Sequence, residues 1–88
     1  MSQEKSRVEE TISLLKQQRD ELALQIHLGA VEAKQEFENA KDKLDKMTDD
    51  YEPVKVAVEK SAGDVVASLQ LVGDELLASF ERIRKSLG

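Results

Sequence analysis

The sequence predicts an all-α fold. Apolar residues recur in alternating steps of four and three along most of the 88-residue chain, and strand-like alternation is absent. The composition, with 35% charged and only 3% aromatic residues, matches long helices and coiled coils.

The repeat can be followed from the N-terminus. Val8, Ile12, Leu15, Leu22, Ile26, Gly29 and Ala33 form its first part, with Arg19 in the slot between Leu15 and Leu22. It restarts one residue late at Phe37 and continues through Ala40, Leu44, Met47, Tyr51, Val54 and Val58. A third part holds Ala62, Val65, Leu69, Val72 and Leu76, followed by Phe80, Ile83 and Leu87. The result is a heptad seam with stutters near 33–37, 58–62 and 76–80. Off the seam, charges of both signs interleave as on a solvated helix face, and Asp42–Lys46 and Glu81–Lys85 have the spacing of favourable ion pairs.

Three positions could interrupt the helix. Gly29 has no turn residue beside it and reads as a helix-interior glycine on the seam, at a cost of roughly 1 kcal/mol against Ala. Gly63 could end one helix and leave Asp64 to cap the next. Pro53 removes a backbone donor and disfavours α geometry at Glu52, while Asp49, Asp50 and Glu52 suit the start of a helix better than its end. The expected architecture is therefore a single domain over 1–88, an antiparallel hairpin with helices at 3–49 and 53–87 and a turn at 49–53. Two apolar stretches, 22–33 and 65–78, are wider than the rest of the seam and would lie opposite each other, with Phe37 facing Ala62 and Gly63. Two helices leave one flank of such wide faces exposed, so the hairpin is expected to dimerise into a four-helix bundle. The alternatives are a three-helix bundle turning near 29 and 63, and an extended chain kinked at Pro53.

Composition also narrows the classes of function. A net charge of −5 disfavours a nucleic-acid partner. With no cysteine there is neither a disulfide framework nor a thiolate site. The polar N-terminus lacks the apolar core of a signal peptide, and the least charged window, 61–80, contains Asp64, Asp74 and Glu75. A cytoplasmic protein without stable membrane insertion is expected. His27 has Ala23 and Val31 as its i−4 and i+4 neighbours and no carboxylate among them, there is no Glu-x-x-His or His-Glu-x-x-His pattern, and the four glycines are scattered. No catalytic, metal or cofactor site is expected, and the chain is read as non-enzymatic. Arg82, Arg84 and Lys85 complement the C-terminal end of a helix dipole. The expected interaction face is the seam itself, at Leu22, Ile26, Phe37, Val65, Leu69, Val72, Leu76 and Phe80.

The segments LQIHLGAVEAKQEFE (24–38) and LLASFERIRKSL (76–87) resemble those of small bacterial helical proteins that share an LHLxxxEAKxE-aromatic-E core and an ERIRKxL ending. That resemblance extends over most of the chain and implies a helical fold, without functional residues to carry over. The segment AKQEFENAKDKLDKM (33–47) is similar in composition to helices of late-embryogenesis-abundant proteins and exchangeable apolipoproteins, although its sustained heptad departs from theirs.

Two functions follow as expectations. The first is a structural module that self-associates as a coiled-coil-like bundle, a dimer most simply, and binds another protein of unknown identity. The second is an amphipathic lipid- or stress-associated protein. A membrane-surface helix needs Lys and Arg along a broad apolar face, whereas 61–81 carries neither, which favours the first.

Overall fold

The computed structural model describes residues 3–56 and 59–87, with the side chains of 6–56 and 63–87. Helix α1 spans Gln3–Gln25 and runs into a short 3-10 turn at Ile26–Leu28. Helix α2 spans Val31–Lys55 and α3 spans Glu59–Leu87, and there is no strand among the described residues. The all-α class is as expected, and the arrangement is the three-helix alternative. Side-chain contacts give the directions. Thr11 meets Gln70 and Glu21 meets Arg84, so α1 and α3 run parallel. Glu36 meets Arg82 while Met47 lies at Gly73, so α2 runs the opposite way. The bundle is 44 Å long and 17 Å across.

The two-helix hairpin reversing at 49–53 does not form, because Pro53 lies inside α2. Proline removes one backbone hydrogen bond, and here it does so in the last turn, two residues before α2 ends at Lys55. Continuing the helix through 49–53 instead of ending it there buries Tyr51 and Val54, each worth about 1.5–3 kcal/mol of apolar burial, which offsets the loss. The chain reverses instead at Gly29, where a helix interior was expected. The Gly29 N–H donates to the Ile26 carbonyl at 2.9 Å, and Gly29 and Ala30 are both extended before α2 begins. A Cβ at Gly29 would stand 2.8 Å from Leu87 Cδ2, so the missing side chain lets the end of α3 close over the connection. Gly63, the other turn in the three-helix alternative, lies within α3 instead.

The seam positions make the core. Val8, Ile12, Leu15 and Leu22 from α1, Phe37, Ala40, Leu44, Met47, Tyr51 and Val54 from α2, and Leu69, Leu76, Phe80 and Ile83 from α3 are all buried together. One register differs: Val66 takes the buried place expected for Val65, which is 44% exposed. Seam positions Val58 and Ala62 lie outside the described side chains. Phe37, expected to face Ala62 and Gly63, packs on Phe80, with ring centroids 6.3 Å apart; Ala62 lies outside the described side chains.

The width of the apolar face on α3 has a simple cause. This helix lies against both α1 and α2, whereas α1 and α2 touch each other far less. It therefore needs two adjoining apolar stripes, and a single stripe would cover only one neighbour. Gly73 on α3 faces side chains of both α1 and α2. A Cβ there would be 2.7 Å from Thr11 Cγ2 and 3.0 Å from Met47 Cε. Around Gly63 nothing lies within 4 Å of such an atom. The two glycines should thus respond oppositely to alanine in thermal denaturation. Gly63→Ala gains helix propensity alone and should stabilise by about 0.5–1 kcal/mol. Gly73→Ala forces the helices apart and should cost about 1–3 kcal/mol. Equal gains at both positions would mean that the close approach at Gly73 is absent.

Candidate interaction surface

Most of the expected interaction face is consumed by the fold. Leu22, Phe37, Leu69, Leu76 and Phe80 are buried within the chain, and Ile26 and Val72 are partly buried against them. These seven hold the bundle together and leave only Val65 well exposed. They cannot also form a four-helix seam with a second copy unless the bundle opens.

A different set of apolar residues faces outward. Leu24, Leu28 and Val31 are 77%, 69% and 78% exposed, and they surround the connection between α1 and α2. Their spacing of four and three matches the seam, each lying two residues beyond a seam position (Leu22, Ile26 and Gly29) and so on the far side of a helix from it. Within the first wide stretch, Leu22 and Ala33 turn inward while Leu24, Leu28 and Val31 turn out. The sequence signal was that extra width, which anticipates an exposed flank without locating it. His27 is exposed in the same segment. Leu87 closes over Gly29 at this end of the bundle.

Charged side chains stand around this apolar tip. Arg82 on α3 donates from Nε and Nη2 to Glu36 Oε2 on α2, at 3.1 and 2.9 Å, and also reaches Ser79 Oγ. Arg84 approaches Glu21 on α1 at 3.8 Å. Both pairs are solvent-exposed, so each contributes at most about 1 kcal/mol, and their role is to set the orientation of α3 between its neighbours. Lys41 lies 5.6 Å from the centre of the Phe37 ring and 3.4 Å from Glu38. The expected pairs Asp42–Lys46 and Glu81–Lys85 are not among the ion pairs of the described residues.

The polar groups inside the bundle are few. Thr11 is buried on α1, donates to the Arg7 carbonyl at 2.9 Å and accepts from Gln70 Nε2 at 3.2 Å. The same Gln70 nitrogen also donates to Asp74 at 3.0 Å, while the Gln70 carbonyl oxygen is buried without a hydrogen-bond partner. Beside this pair, Arg7, Val66, Ala67 and Leu71 line a shallow groove between α1 and α3. A second groove, between α1 and α2, is lined by Ile12, Ser13, Lys16, Thr48, Glu52 and Lys55. No group of three or more His, Cys, Asp or Glu side chains is placed to hold a metal ion among the described residues.

At the end of the bundle away from the tip, Tyr51 is buried. Burial pushes the phenol above its ordinary value of 10.0, and the Glu9 carboxylate, which accepts its hydrogen bond, adds to the shift. A group whose folded-state value is raised contributes stability that is complete below the unfolded value and is lost as pH rises through the folded one. The bundle should therefore lose stability above about pH 10, as the buried phenol is forced to ionise. Tyr51→Phe should flatten that loss relative to wild type in melting curves across the alkaline range. Parallel curves for the two proteins would show that Tyr51 is not buried beside Glu9.

Comparison with known protein families, curated proteins and solved structures finds no match to this chain. No helix among the described residues is long and apolar enough to cross a membrane.

Proposed function

We propose that the chain is a non-enzymatic protein-interaction module, a small helical bundle that self-associates. The observation that carries this reading is the apolar tip, where Leu24, Leu28 and Val31 stand in water within one connection, while the other exposed large apolar residues, Leu14, Val56, Val65 and Leu71, are spread along the bundle. Each of these side chains would gain about 1.5–3 kcal/mol on burial against a partner, and clustered exposure of this kind marks interaction sites. The non-enzymatic part rests on the sequence, which has one histidine without a carboxylate on its own helix, no cysteine and no glycine-rich loop. The likeness to small bacterial helical proteins is compatible with such a role.

The alternative is an amphipathic lipid- or stress-associated protein, and it would use the same tip. The inward turn of all three helical stripes favours the first reading, since a lipid-spread helix keeps its apolar face available. Light scattering over a wide concentration range, with and without anionic vesicles, tests both. The expected result is a mass that doubles with concentration and a protein that stays free of vesicles. A monomer at every concentration that floats with vesicles would replace the first reading with the second.

A further inference from the structure

Charge is distributed unevenly along the bundle. Residues 16–36 and 81–87 make up the tip and the helix turns around it. They carry six Lys and Arg (Lys16, Arg19, Lys34, Arg82, Arg84, Lys85) against five Asp and Glu, a net charge of +1. The chain as a whole carries −5, so the remainder holds −6. Asp49, Asp50 and Glu52 on the last turns of α2, and Glu9 and Glu10 on α1, belong to that acidic part. Leu24, Leu28 and Val31 thus sit at the end of the molecule where two identical copies repel each other least. Side-by-side packing would bring the acidic portions together, whereas end-to-end contact holds them at the greatest separation.

We infer that a second copy of this chain covers the tip, so that two bundles meet end to end through Leu24, Leu28 and Val31 with their acidic ends pointing apart. This rests on the self-association proposed above and specifies its surface and geometry. A two-fold axis across the tip makes the contact self-complementary, as expected of a dimer of identical chains. The rim supports the same occupant. Lys85 on α3 and Glu32 at the start of α2 have no ion pair among the described residues. An end-to-end two-fold contact that sets Lys85 of one copy against Glu32 of the other pairs these opposite charges. The contact has an apolar centre and a charged rim, the usual anatomy of a protein interface.

The experiment combines variants with shape. Leu24, Leu28 and Val31 are exposed, so replacing all three with serine should leave helicity unchanged while weakening dimerisation about 100-fold or more in analytical ultracentrifugation. Lys85→Glu and Lys46→Glu make the same change in net charge, the first at the tip and the second away from it on α2. At low salt Lys85→Glu should weaken the dimer about tenfold and Lys46→Glu far less. Small-angle X-ray scattering of the wild-type dimer should give a particle close to twice the 44 Å length of one copy. A dimer no longer than one copy, or one indifferent to the triple serine variant, overturns the end-to-end contact while leaving self-association standing. A wild-type chain that is monomeric throughout overturns both. A chain that needs vesicles to cover the tip assigns it to a lipid surface and overturns the second copy as its occupant.

Discussion

Phe80→Ala is expected to cost about 3–5 kcal/mol of unfolding free energy. Phe80 is among the largest fully buried side chains, and its ring meets Phe37 across the α2–α3 contact. Truncation removes that burial and leaves a cavity between two helices that cannot collapse onto each other, because α1 also bears on α3. At about 0.05–0.15 kcal/mol per residue, a chain of 88 residues has a total stability of roughly 4–13 kcal/mol. The variant should therefore melt far below wild type or fail to fold at physiological temperature. Urea unfolding followed by circular dichroism measures the difference, and a loss under about 1 kcal/mol would show that the two rings are not packed in the interior.

Leu69→Asp should be at least as damaging, by a different mechanism. Leu69 is buried on α3 within the shared apolar cluster, so a carboxylate there is taken out of water beside aliphatic side chains. An unpaired buried charge costs several kcal/mol or is relieved by protonation, which makes the defect pH-dependent. Aspartate buried in this way binds its proton more tightly when folded. The variant should be less defective at low pH and lose stability as the carboxyl ionises, opposite to the usual behaviour of a paired aspartate. Circular dichroism at two pH values is sufficient. A melt that matches wild type at neutral pH would place position 69 on the surface.

How much of this was legible in the sequence differs by element. The helical class and nearly all of the core were, because the recurrence of Val8, Ile12, Leu15, Leu22, Phe37, Leu44 and Met47 is a local property that survives whatever the helices pack against. The turns were not. Pro53 is the strongest breaker in the sequence, yet in the last turn of a helix it removes little, and Tyr51 and Val54 reward its continuation. Gly29 has none of the usual turn neighbours, and its role depends on the distant Leu87 folding back over it. The shift from Val65 to Val66 could not be read from the pattern, since two adjacent valines satisfy either register until α3 has chosen its neighbours.

The same limit applies to the interaction surface. Periodicity marks residues that will be buried, but it cannot say whether another part of the chain or another molecule buries them. Leu69, Leu76 and Phe80 were expected at an oligomer face and are occupied internally. Leu24, Leu28 and Val31 stand out only once the connection at Ile26–Leu28 separates them from the core.

The central position of α3 has a consequence for the order in which this protein can acquire its structure. Helix α3 is synthesised after α1 and α2, yet both depend on it, since α1 and α2 have little contact without it. At about 5–20 residues per second, the ribosome needs roughly 1.5–6 s to make the 29 residues of α3. During that interval the inward sides of the nascent α1 and α2 have nothing to cover them. The bundle then folds as one cooperative unit only once α3 has emerged, and any event that withholds α3, such as premature termination within it, leaves a sticky fragment for quality control to remove.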